Sequence, residues 1–145
     1  MNQSSPDVIS TGQLHQWHTA FLQLNAARLD VARGLMLRRR RLVLDSLPLL
    51  FHLNHPRLPG FIHNHVPCGI AHYTPDKDAE EALRAIARGV QLPRGFSQQQ
   101  ITGIYLMGSL GSLAQARSSD LDVWLCYDEA LSGQEIIDLQ SKCDR

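Results

Sequence analysis

Apolar residues return along the first part of the chain at steps of three, four or seven: Leu14, Trp17, Phe21, Leu24, Val31 and Leu35. That spacing lays one apolar stripe along a helix. Arg28 falls on the same stripe, so the face is expected to be snorkelled or partly open at that point. The ten residues MNQSSPDVIS ahead of it read as a frayed polar lead. Arg38 to Arg41 read as a solvated helix end rather than a phosphate patch. The apolar pattern resumes in LVLDSLPLLFHLNHPRLPGF, where Pro48 suits a first helical position after Ser46. It breaks at Pro56 and Pro59-Gly60, and Asn54 to Pro75 are irregular.

DKDAEEALRAIARGV then predicts a short amphipathic helix with Ala82, Leu83, Ile86 and Val90 on one face. Asp78 and Glu81 have the spacing of a capping box, and Gly89 lies near its end. After the polar link QLPRGFSQQQ, ITGIYLMGS is apolar on both faces and predicts a buried strand. DLDVWLCY predicts a second strand, with Leu121, Val123, Leu125 and Tyr127 on one side. Asp120, Asp122, Trp124 and Cys126 take the other side. Ser132 and Glu135 are spaced to cap a last helix through Ile136, Ile137 and Leu139. The fold class is therefore α/β, of the α+β kind, in three segments. Residues 1–53 are helical, residues 54–100 combine a Pro-, Gly- and His-rich connection with the amphipathic helix, and residues 101–145 form a strand-bearing core.

Composition narrows the chemistry. The 145 residues carry fourteen basic and fourteen acidic side chains, so no net field recruits nucleic acid or an anionic membrane. Any ligand has to be held locally. Cys68, Cys126 and Cys143 are odd in number and lack CxxC spacing, which suits a reducing compartment, and a cytoplasmic location is expected. No export signal is visible, and no eighteen apolar residues occur together, so no membrane span is expected.

The candidate chemistry lies in GSLGSLAQARSSDLDVW, residues 108–124. Residues two apart on a strand share a face with Cα atoms about 6.5 Å apart. The carboxylates of Asp120 and Asp122 can then converge to about 5 Å, where two full charges repel by roughly 3 kcal/mol at an effective dielectric near 20. A cation should offset that repulsion. Hard divalent ions such as Mg²⁺ take carboxylate and phosphate oxygens, and one aspartate bridging two ions fits this spacing. Ten residues earlier, Gly108-Ser109 follows the first strand. A glycine there lets the backbone approach a ligand, and the following amides with the Ser109 hydroxyl can donate to phosphate oxygens. GxxxxGK[ST] and GxGxxG loops are both absent.

GS(x10)DLDVW resembles the signature of the nucleotidyltransferase superfamily of DNA polymerase beta type. With NHPRLPGF, VPCGIAHYTPD, ITGIYLMGS and SSDLDVWLC, the stretch from about Leu42 onward is similar to the N-terminal catalytic region of class I adenylate cyclases of enteric and related gammaproteobacteria. The resemblance implies the start of a polymerase-beta-like mixed sheet and conversion of ATP to 3′,5′-cyclic AMP and pyrophosphate. It implies that Asp120 and Asp122 hold Mg²⁺ or Mn²⁺, two ions in all, and that Gly108 and Ser109 bind the triphosphate. Ser118 and Ser119 match positions just ahead of the first aspartate, as turn residues, aspartate-orienting hydrogen bonders or direct ligands. The superfamily adds a third carboxylate from a later strand. Asp128, Glu129, Asp138 and Asp144 lie in the wrong elements to supply it, so a truncated product or fragment of low intrinsic activity is expected. A longer product would bring a regulatory C-terminal region or a regulator protein. A small nucleotidyltransferase that moves AMP onto protein, RNA or antibiotic, and a non-catalytic nucleotide-binding remnant, are the competing readings.

Other residues invite chemistry less strongly. His52, His55, His63, His65 and His72 include H-x2-H and H-x-H spacings, but no cysteine pair accompanies them, and they read as turn or surface histidines. Tyr73, Thr74 and Pro75 suit either an approach to nucleotide or core packing. Trp124 shares the aspartate face, where core packing is expected ahead of stacking on adenine.

Overall fold

The computed structural model describes residues 9–92, 99–116 and 119–145. The polar lead as far as residue 8, most of the link QLPRGFSQQQ, and Ser118 lie outside them. The order is α1 (Thr11–Leu35), α2 (Arg38–His52), α3 (Lys77–Ile86), β1 (Ile101–Met107), β2 (Asp122–Tyr127) and α4 (Gly133–Cys143). This is an α+β arrangement, with β1 and β2 paired antiparallel. A single parallel bridge between Ile70 and Ile101 adds a second strand direction beside β1. The chain forms two compact units, one from the described parts of Met1–Met36 and Ser109–Asp120, the other from Leu37–Gly108 and Leu121–Arg145.

In the first unit, Ser10 caps α1 in a reciprocal box with Gln13. Only Ala32 of this helix is buried. Leu14, Trp17, Phe21, Leu24, Val31 and Leu35 are each 47–60% exposed, so the apolar stripe is present but uncovered among the described residues. Arg28 does not snorkel along it. Its Nη2 donates to the Leu110 carbonyl at 2.9 Å. Gly111, at φ 66°, comes so close to the Arg28 backbone that any side chain there would overlap it.

In the second unit, α2 starts at Arg38, so the arginine run opens a helix rather than ending one. The positive charges face the positive end of the helix dipole. Arg41 offsets part of this by pairing with Asp45 at 3.2 Å and with Asp78 of α3 at 3.5 Å. Pro48 lies inside α2 and not at its start. It cannot donate to the Leu44 carbonyl, a defect that costs up to about 3 kcal/mol in an open helix. Leu44, Leu49, Phe51 and His52 are buried on either side of the proline, and that burial keeps the helix continuous.

Helix α3 is capped by Asp76, whose carboxylate accepts from the Ala79 amide at 2.8 Å, so the cap precedes the expected Asp78–Glu81 box by two residues. Leu49, Leu53 and Leu58 pack with Ala79, Leu83 and Ala87 to join α2 to α3. A second cluster of Phe51, Ile70, Ile101 and Leu139 joins α2 to the hairpin and α4, with Ile104 and Leu125 against it. Ser132 and Glu135 form the expected capping box of α4. Lys142, 5% exposed, reaches from the end of α4 to donate to the Leu53 carbonyl at 3.2 Å, with its Nζ 5.9 Å from the centre of the Phe51 ring. Burial holds its pKa below the usual lysine range.

The first strand is not buried on both faces. Ile101 is fully buried and Ile104 and Leu106 are half-buried, whereas Tyr105 and Met107 are exposed. Residues of α2 and α4 cover one side of the two-stranded sheet, and among the described residues nothing covers the other. His52 is also no surface histidine: it is 2% exposed, its Nδ1 accepts from the Ile70 amide at 3.0 Å, and its ring meets Tyr73 edge-on at 5.0 Å. Tyr73 packs against both clusters.

Two outcomes follow for stability. Ile101→Ala removes a fully buried side chain at the centre of the second cluster and should cost about 2–5 kcal/mol in urea unfolding. Burial holds the His52 imidazole below its ordinary pKa, so as pH falls the unfolded chain takes up this proton first. Its contribution is complete above about pH 6.5 and is lost as pH falls below that value. The urea midpoint should therefore drop between pH 7.5 and 5.5. His52→Phe should remove this component while costing about 1–3 kcal/mol at pH 7.5, because the Ile70 amide loses its acceptor.

Candidate functional site

The antiparallel register pairs Met107 with Asp122, Leu106 with Val123, Tyr105 with Trp124 and Ile104 with Leu125. Alternation then sets Asp122, Trp124 and Cys126 on the exposed face, with Tyr105 and Met107 opposite them. Gly108 follows the last rung at φ 78°, a left-handed conformation that a side chain resists. A Cβ built on it would lie 3.1 Å from Asp122 Oδ2. The bare glycine therefore lets the Asp122 carboxylate lie across the backbone at the end of the hairpin. Asp122 opens β2, so Asp120 precedes the strand instead of lying within it, and it is exposed.

In the other unit the chain after Gly108 is a succession of tight turns. The Ser109 carbonyl accepts from the Ser112 amide at 3.0 Å and from the Ser112 hydroxyl at 2.6 Å. The Gly111 amide donates to the Gln115 side chain at 2.7 Å, and the Gln115 amide to the Ser112 carbonyl at 3.1 Å. The Ser109 hydroxyl donates to Ser119 Oγ at 3.0 Å, which also accepts from the Ala116 amide at 2.9 Å. Most amides of this turn are thus spent on the turn itself. Those of Ser109 and Leu110, directly after the glycine, find no acceptor among the described residues.

The structure thus brings Gly108 to Asp122 in one unit and Ser109 to Ser119 in the other. Trp124 is 64% exposed and not packed in a core. Opposite Trp124 in the register lies Tyr105, 47% exposed. Of the other histidines, His55 and His63 accept from the amides two residues on, both at 3.2 Å, as turn residues do. His63 Nε2 also lies 3.3 Å from Asp138. Among the described residues no three His, Cys, Asp or Glu side chains converge as metal ligands.

The α+β chain thus carries a Gly-Ser turn at one end of its hairpin and an Asp-x-Asp at the entry to the returning strand. Residues 13–145 match the family described as the adenylate cyclase NT domain, and the chain belongs to that family. It is 41% identical over 127 residues to the adenylate cyclase of Shigella flexneri and 40% identical over 127 residues to that of Escherichia coli strain K12. To that of Yersinia pestis it is 37% identical over 123 residues. Each match covers 83% of this chain and 14% of the relative's length. No solved structure matches the chain, and no described helix is long and apolar enough to cross a membrane.

Gly108→Ala tests the end of the hairpin. It forces a side chain into a left-handed position and against Asp122 Oδ2. It should cost about 1 kcal/mol or more in denaturant unfolding. Asp122→Gly in the same background should recover the part due to contact, leaving the backbone part.

Proposed function

We propose that this domain is the nucleotide-binding part of an adenylate cyclase, in which the ribose 3′-hydroxyl of ATP attacks its own α-phosphorus. The new O–P bond closes the 3′,5′-ring, the bond to the β-phosphate oxygen breaks, and pyrophosphate leaves as the hydroxyl proton passes to a base. Asp120 and Asp122 hold divalent cations, Mg²⁺ or Mn²⁺. Gly108, Ser109 and Ser119 serve the triphosphate, with the Ser109 and Leu110 amides as donors. The donor set suits hard cations, being all carboxylate oxygen, with the Asp122 carboxylate exposed beside a glycine that leaves room around it. Bound there, the cations neutralise triphosphate charge. The protein's own part is largely positioning and the aiming of backbone dipoles at phosphate oxygens.

The observation that carries the reading is that the family match contains the whole Gly108–Asp122 hairpin, in which glycine and carboxylate meet. The chain spans 14% of the relatives' length, so activity belongs to a test at that length. In a protein of the relatives' length, Asp120→Asn and Asp122→Asn should each abolish cyclic AMP formation and leave the fold intact. Their stability should hold, because both carboxylates are exposed and neither is buried in the core. Marked destabilisation by both would assign the aspartates a structural role instead. Calorimetry of the 145-residue chain should show ATP binding tightened by Mg²⁺ or Mn²⁺, and equal affinity in chelator would contradict the cation sites.

A further inference from the structure

The exposed face of the hairpin has an uneven chemistry. At one end lies the Asp122 carboxylate. Two residues along the same strand, about 6.6 Å away, lies Trp124, 64% exposed, and opposite it in the register lies Tyr105, 47% exposed. Gly103 offers no side chain, and the Tyr105 ring folds over it: a Cβ at Gly103 would lie 2.8 Å from Tyr105 Cε2 and 3.0 Å from its hydroxyl. The tyrosine therefore lies along the strand instead of standing away from it. Trp124 thus stands between the Asp122 carboxylate and the end of the face over which the Tyr105 ring is folded.

We propose, resting on the nucleotide-site reading above, that Trp124 and Tyr105 form the platform on which the purine ring of the bound nucleotide stacks. An aromatic face needs a flat apolar occupant, and this one also ends in a carboxylate. An apolar protein surface laid over the face would desolvate the Asp122 carboxylate without a partner, which is costly. A metal-bound nucleotide matches both parts, with cation and phosphates at Asp122 and a flat ring one strand step away. The Tyr105 ring, folded toward Gly103, leaves the exposed Trp124 next to the carboxylate as the nearer part of the platform. Stacking of this kind tolerates different bases, so the platform supplies affinity for a purine, and selection of adenine needs further contacts.

The chain has two tryptophans, so Trp17→Phe, a change on the exposed stripe of α1, leaves Trp124 as the sole indole reporter. In that background, with Mg²⁺ present, ATP should change Trp124 emission on binding, whereas inorganic tripolyphosphate should bind without doing so. Trp124→Ala in the otherwise unchanged chain, followed by calorimetry, should weaken ATP roughly 5- to 100-fold and leave tripolyphosphate affinity unchanged. Trp124→Phe should retain most of the ATP affinity, and circular dichroism should report an unchanged fold in both. If ATP binds no tighter than tripolyphosphate and emission does not change, the platform is refuted while the phosphate site stands. Equal losses for both probes in Trp124→Ala refute it as well. If neither probe binds, the nucleotide-site reading fails, and the platform with it.

Discussion

Ile101 joins the hairpin to the helices in two ways at once. Its side chain is fully buried among Phe51, Ile70 and Leu139, while its amide donates to the Gly69 carbonyl and its own carbonyl accepts from the Ala71 amide. The residue before it extends the joint. Gln100 bonds through its backbone to Cys68 and Asp128, and through its side chain to the Cys68 amide and the Glu135 carboxylate. The loop after α2, both strands and the start of α4 thus meet within two residues. From there β1 runs about 20 Å to Met107, so the candidate site stands at the far end of a hairpin held firmly at its base. That end depends on the ladder rungs and one covered face, which is the balance of rigidity and access that a ligand-binding edge needs.

The shifted titrating groups mark the core more than the site. His52, Cys68 and Lys142 are all displaced from their ordinary values chiefly by burial. Each lies in the joint that carries the hairpin, where His52 caps the Ile70 amide and Lys142 caps the end of α2. The two candidate aspartates, Asp120 and Asp122, are instead exposed.

What could be read from the sequence was whatever depends on neighbours along the chain. The Ser132–Glu135 box places the start of α4, and the alternation from Asp122 to Cys126 separates the two faces of β2 correctly. Alternation extends the strand pattern back to Asp120 but cannot say where a ladder stops, and the last rung falls at Met107 and Asp122. Local chemistry favours a helix start at Pro48, because its missing donor is cheapest there. The burial that carries α2 past it comes from α3, β1 and α4 and leaves no local trace. The same limit applies to α1 and to the face of Trp124. Periodicity shows that a face is apolar, while whether anything covers it is a tertiary fact.

Lys142 gives the assembly of the second unit an order in time. Its partner carbonyl on Leu53 lies 89 residues earlier, and contacts of such span close late because the intervening chain must first be drawn in. During synthesis α2 and α3 are made before α4. The cluster of Leu49, Leu53, Leu58, Ala79, Leu83 and Ala87 must then hold the helix pair together alone. The carbonyl at the end of α2 stays in water until the lysine arrives. Burial of that charge is thus a closing step, coupling the dehydration of one helix end to the completion of the other.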